Sequence, residues 1–122
     1  MSDHNRLYGR DGEDLARKFL ERKGYAWAAS NYSTRWGEID LIMEQRGTIV
    51  FVEVKRRQND HFGAPEEAVT KTKREHMIKC ALAYLQEGRL ENKALRFDVV
   101  SIGPLGTRHY PNAFYAGGDY YY

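Results

Sequence analysis

Residues 37–57 read GEIDLIMEQRGTIVFVEVKRR, and this stretch decides the fold. Apolar and polar side chains alternate on both sides of Arg46-Gly47, the pattern of two β-strands joined by a tight turn. Residues two apart share a strand face. Ile39, Leu41, Met43, Val50, Val52 and Val54 therefore line one face, which must be the core. Glu38, Asp40, Ile42, Phe51, Glu53 and Lys55 line the other. A two-residue loop at Arg46-Gly47 sets Asp40 across from Glu53 and Glu38 across from Lys55, and so does a four-residue loop from Gln45 to Thr48. Directly opposed Cβ atoms lie roughly 4.5–5.5 Å apart. A slip of one residue would turn Asp40 into the apolar face, where an unpaired carboxylate is costly to bury.

Two facing carboxylates repel, and a hairpin that keeps them implies a cation between them. Magnesium suits the donors, with manganese as its substitute. It takes hard oxygen ligands at ~2.0–2.1 Å, commonly one or two carboxylates, and keeps positions for water and phosphate oxygen. Asp40 and Glu53 are thus the candidate metal ligands, and the backbone carbonyl of Val54 is a candidate third. Lys55 shares the face of Glu53 and can present its ammonium to an attacking water or to charge developing on phosphorus. An ordinary lysine pKa is ~10.4, so the role expected of it is electrostatic and orienting rather than that of a general base. Taken alone, these residues also describe an amphipathic hairpin with a solvated outer face, the commoner meaning of such a pattern.

Outward from the hairpin, Leu15, Ala16, Phe19 and Leu20 mark a helix over residues 7–23 that Gly24 ends. Tyr25 to Thr34 is aromatic and β-tolerant, and reads as a strand leading into a turn. Residues 58–65 are turn-rich. Val69, Met77, Cys80, Ala81, Tyr84 and Leu85 follow a helical period over residues 66–88, behind Pro65. LRFDVVSIG (95–103) is a further strand, and the tyrosine-rich tail 112–122 has no clear period. A chain of 122 residues is one domain, with its core expected over about 7–103. With 19 basic and 17 acidic residues the net charge of +2 says little about a polyanionic partner, so placement of the charges matters more than their sum. The one cysteine, Cys80, excludes an internal disulfide and falls on an apolar stripe; the four histidines lack zinc-ligand spacing. No run approaches the ~18 apolar residues of a membrane span, and no hydrophobic leader is seen, which points to the cytoplasm and to no membrane partner.

GEIDLI followed by FVEVKRR resembles the D…ExK core of the PD-(D/E)xK nucleases, and more narrowly the UPF0102 (YraN) family. GRDGEDLARKFLERKGY (9–25), NYSTRWGEIDL (31–41), FGAPEEAVTKTK (62–73) and LRFDVV (95–100) are similar to that family's pattern as well, so the resemblance covers roughly residues 8–100. It implies an α/β fold with a restriction-endonuclease-like core, a central mixed sheet flanked by helices in the order αβββαβ. That core is similar to the one in archaeal Holliday-junction resolvases. It also implies metal ligation by Asp40 and Glu53, a catalytic Lys55, and a further acid, Glu13, as a candidate ligand from the first helix. Ile39 stands where the superfamily's name has proline, although the narrower family shows ID there. Glu13 shares a helix stripe with Ala16 and Leu20, so it sits at the edge of the buried face; the plain alternative is that it complements the positive helix end.

The implied activity is magnesium- or manganese-dependent hydrolysis of DNA phosphodiester bonds, with branched DNA favoured by the likeness to resolvases. A resolvase would also act as a homodimer, since a junction presents equivalent strands. Arg57 and Lys73 are the expected phosphate contacts, ahead of Arg56, Lys71, Arg74 and Lys79. Asn31 and Arg35 belong to a polar turn that either orders the active strand or touches nucleic acid. Asp98 is expected to pair with Arg96 on its own strand face. Two other classes stay open: a binding module that grips nucleic acid without cutting, and a protein-interaction domain using the tyrosine-rich tail.

Overall fold

A computed structural model describes the backbone of residues 2–58 and 69–114 and the side chains from residue 12 onward within those ranges. The elements run α1 (Ser2–Arg22), β1 (Ala26–Thr34), β2 (Gly37–Gln45), β3 (Thr48–Arg56), α2 (Lys71–Glu87), β4 (Ala94–Gly103) and β5 (Gly106–Phe114). The expected turn-rich segment 58–65, the first residues of the expected second helix and the tail's last residues, 115–122, lie largely or wholly outside the described residues.

The five strands form one mixed sheet in the order β1-β2-β3-β4-β5. All neighbours are antiparallel except β3 and β4, whose parallel pairing requires a crossover, and α2 supplies it. The hairpin β2–β3 turns at Arg46-Gly47 with φ of 50° and 82°, positive at both central residues as its tight twist demands. Its register is the expected one from Gln45–Thr48 to Leu41–Val52. Gly24 ends α1 at φ 94°, letting Tyr25 N–H reach back to the Leu20 carbonyl at 3.1 Å.

The central strands are buried on both faces, as expected of a sheet flanked by helices, and this sets aside the alternative of a hairpin with a solvated outer face. On the α1 side Ala16 and Leu20 pack on Leu41, Met43, Val50, Val52, Val100 and Ile102. On the α2 side Met77, Ile78, Cys80, Ala81 and Leu85 pack on Ile39, Ile42, Ile49, Phe51, Phe97 and Val99. Ile42 and Phe51, placed by alternation on the outer face, are fully enclosed because α2 lies over them. Ile39 belongs with Ile42, not with Leu41 and Met43. Alternation therefore breaks between Ile39 and Leu41, at Asp40. Opposite this break in β1, Asn31 adopts a left-handed φ of 55°, a conformation that asparagine tolerates better than most residues. Asn31 thus lies inside the strand, not in the turn. Leu15, assigned to the apolar stripe of α1, is 47% exposed.

Two boundaries differ from the sequence reading. α2 starts at Lys71, not at residue 66: Thr70 is its N-cap, extended at ψ 164°, with its hydroxyl accepting from Lys73 N–H at 3.2 Å. Val69 is buried but precedes the helix. β5 is an additional strand, so the core runs on to Phe114, whose ring stacks on Phe97 at 4.8 Å. Its sequence, GTRHYPNAF, hides the strand because it is polar and carries Pro111, which a strand tolerates at a sheet edge. No helix among the described residues is long and apolar enough to cross a membrane.

Candidate metal centre

The sheet carries two groups of acids built around the buried Asp98 and Glu53, and they differ in how well their oxygens are satisfied. Asp98, fully buried on β4, is saturated with donors. Arg96 grips it with two bonds of 2.8 Å, the His109 Nε2 lies 2.6 Å away, and Asn112 N–H donates at 2.9 Å. Arg96 also donates to the Tyr25 hydroxyl at 2.6 Å, and Lys23 Nζ lies 2.7 Å from His109 Nδ1. Burial would raise the Asp98 carboxyl, but the bonds from His109, Arg96 and Asn112 outweigh it and hold the group below its ordinary range. Asp98 pairs with Arg96 as its spacing suggested, and the network it heads is a structural tie between β4, β5 and the start of β1.

The second group is under-satisfied. It forms where β2 and β3 part company: the recorded pairing stops at Leu41–Val52, one step before Asp40 would face Glu53. In a continued ladder Val54 would face Ile39. Instead the Asp40 side chain enters the gap, and its Oδ2 accepts from Val54 N–H at 2.8 Å. Main-chain N–H and C=O of one strand residue point to the same side, so the Val54 carbonyl is directed at the same gap. Burial, followed by the charge of Glu53, raises the Asp40 carboxyl to about 7; the Val54 amide opposes this, and Glu13 adds to it.

Glu53 is only 2% exposed. Its Oε2 takes Lys73 Nζ from α2 at 2.5 Å and Lys55 Nζ from its own strand at 3.6 Å. Its Oε1 is buried and has no hydrogen-bond partner among the described residues. Burial works to lower the Lys73 ammonium, but its bond to Glu53 and the charges of Glu53 and Asp40 outweigh it and hold the group above its ordinary range. Glu13 on α1 and Glu38 and Asp40 on β2 bring carboxylate oxygens within 4.8 Å of one another. Ligands of one magnesium lie at most about 4.2 Å apart, twice the ~2.1 Å bond, so a small closure of this trio fits an ion.

Glu13, Asp40, Glu53 and Lys55, named as candidates from the sequence, lie near one another on three elements. Two further members were not foreseen as such. Glu38 does not face Lys55, since the ladder has ended; it turns toward β1, accepts from Ser33 Oγ at 3.1 Å, and joins the acids. Lys73, expected only as a phosphate contact, reaches the buried carboxylate directly. Nothing in strand spacing could reveal that contact, because it depends on where α2 crosses the sheet.

The profile of the uncharacterised protein family UPF0102 matches residues 12–102, which span every member of the site. The chain belongs to this family. A UPF0102 protein of Geobacter metallireducens is 44% identical over 118 residues, covering 93% of this chain and 97% of its own. Similar proteins occur in Syntrophomonas wolfei, 45% identical over 114 residues with 90% and 99% covered, and in Vibrio parahaemolyticus, 47% over 102 residues with 83% and 84% covered. The remaining candidates surround the UPF0102 site at a distance. Arg57 follows β3 and is held against β4, its N–H on the Ile102 carbonyl at 2.8 Å and its Nε on Ser101 Oγ at 3.2 Å. Arg35 lies in the β1–β2 turn with its guanidinium 4.6 Å over the Trp36 ring. Arg56 crosses α1 at Gly12, where a Cβ would meet Arg56 Cδ at 2.9 Å; glycine there lets the arginine stem pass.

Proposed function

We propose that this protein is a metal-dependent nuclease that hydrolyses DNA phosphodiester bonds, with branched, junction-like DNA as the expected substrate. The observation that carries this reading is the contrast between Asp98 and the pair Asp40 and Glu53. Asp98 has its charge fully met by protein donors, whereas Asp40 and Glu53 crowd each other with one buried oxygen left over. A divalent cation resolves both the repulsion and the orphaned oxygen. Asp40 and Glu53 Oε1 would hold it, with Glu13, Glu38 and the Val54 carbonyl as the further oxygens within reach.

When bound, magnesium or manganese supplies a Lewis acid and an activated water. The chain's own groups do the rest. Lys55 lies beside Glu53 at the rim, where it orients the water or meets charge growing on the phosphate. Lys73, Arg57, Arg35 and Asn31 are the groups that would contact the nucleic-acid backbone. The α/β arrangement, a mixed sheet between two helices, is that of a restriction-endonuclease-like core with β5 added. Branched DNA rests on likeness to resolvases and not on a feature of this site.

The test is cleavage of linear, nicked and four-way-junction DNA with magnesium, manganese or EDTA, alongside Asp40→Asn and Lys55→Ala. Metal-dependent cutting by the wild type, lost in both variants while DNA is still bound, is the expected result. Binding without any cutting by the wild type would leave a nucleic-acid-binding module instead. A resolvase should further behave as a symmetric dimer, which sedimentation at assay concentrations reads directly.

A further inference from the structure

The site's two lysines limit how many ions it can take. Two-metal phosphodiesterases place their ions roughly 3.5–4 Å apart, with a carboxylate bridging them. Glu53 is the buried carboxylate placed to bridge here, and its two oxygens are already unequal. Oε1 is buried with no hydrogen-bond partner among the described residues, while Oε2 holds Lys73 Nζ at 2.5 Å and has Lys55 Nζ at 3.6 Å. A carboxylate that gives one oxygen to an ion and the other to an ammonium separates the two charges about as far as it would separate two ions. The ammonium therefore stands at the second-ion position. It is anchored there by the fold, since Lys73 lies in the first turn of α2 with its amide tied to the Thr70 cap. An incoming second cation would face two ammonium groups on the one oxygen left to it.

We infer that this site takes a single divalent cation and that Lys73 occupies the place of a second, serving as the fixed positive charge across Glu53. The inference rests on the nuclease reading for the first ion and adds the site's stoichiometry. It makes Lys73 a positioning residue for Glu53 as well as a contact for the phosphate that would otherwise bridge two metals.

The experiment is Mn2+ titration of the full-length protein without DNA, read by electron paramagnetic resonance and by calorimetry. The wild type should bind one equivalent, with the spectrum of a magnetically isolated bound ion and no spin-coupled signal. Lys73→Met should admit a second equivalent and develop the spin-coupled signal of neighbouring ions, whereas Lys73→Arg, which keeps the charge, should stay at one. The arginine variant and the wild type also guard against misfolding of the methionine variant, whose far-ultraviolet dichroism is recorded in parallel. Two equivalents of like affinity in the wild type would overturn the inference while leaving the nuclease reading intact. One equivalent in a folded Lys73→Met would remove Lys73 from the argument. No binding in any form would sink both readings together.

Discussion

Replacing Asp40 by asparagine should stabilise the metal-free protein at alkaline pH, and the size of the gain follows from the site. Its carboxyl is raised from 3.8 to about 7 by burial and by the charge of Glu53, then of Glu13. The native state thus holds a proton that the unfolded chain releases. That contribution is fully present below pH 3.8 and is lost as pH rises through about 7. Between pH 5 and 8.5 the wild type should lose about 2 to 3 kcal/mol on this account, at ~1.36 kcal/mol for each pH unit crossed below the native pKa. Asparagine carries no such charge, and its carbonyl can still accept from Val54 N–H. For a domain of this size 1 kcal/mol moves Tm by about 3–5 °C, so the variant should melt roughly 6–15 °C above the wild type at pH 8.5 in EDTA, with the gap narrowing toward pH 5. Scanning calorimetry at both pH values, with the wild-type pH dependence subtracted, measures this. Millimolar magnesium should then close the gap from the wild-type side, because only the wild type retains the full acid set. A variant that melts below the wild type at pH 8.5, or one that keeps the same slope with pH, would refute the reasoning.

Four further outcomes are expected. Lys55→Ala should lower the rate of DNA cleavage by about 100- to 1,000-fold while leaving metal-free DNA affinity nearly unchanged, as gel-shift and single-turnover assays would show. Asp98→Ala should cost about 3–5 kcal/mol in urea denaturation by stranding Arg96 and His109, with magnesium binding unaffected. Because the Asp98 carboxyl is held below its ordinary 3.8, the stability it provides is present above that pH and should fade as pH falls through its native value. Lys73→Ala should reduce the slope of log affinity against log salt by about one for DNA, and an unchanged slope would place the phosphate elsewhere.

Much of this architecture was legible because strand chemistry is local. Arg46-Gly47 between alternating strands marked the hairpin and its register from Gln45–Thr48 to Leu41–Val52, but the direct pairing of Asp40 with Glu53 expected from that register falls just beyond the end of the ladder. The stripe through Ala16 and Leu20 placed Glu13 correctly at the margin of the α1 face. What escaped was set by tertiary geometry. Counting every second residue assumes an unbroken ladder, so it misplaced Ile39 and Glu38 beyond the gap at Asp40. β5 lacks an apolar rhythm because one side of it meets water and its register shifts near Val99. The bond from Lys73 to Glu53 joins positions 20 residues apart through the path of α2, which no periodicity encodes.

The parting of β2 and β3 has a consequence for how the molecule transmits disturbance. Apart from the Asp98 network, the rest of the sheet's centre is packed with aliphatic and aromatic groups, with α1 and α2 on either side of it. At the opening, Glu13 from one layer and Lys73 from the other both act on Asp40. A shift under either helix, even one caused by repacking far from any acid, would be registered at the same carboxylate, so the two outer layers are wired to a common terminal.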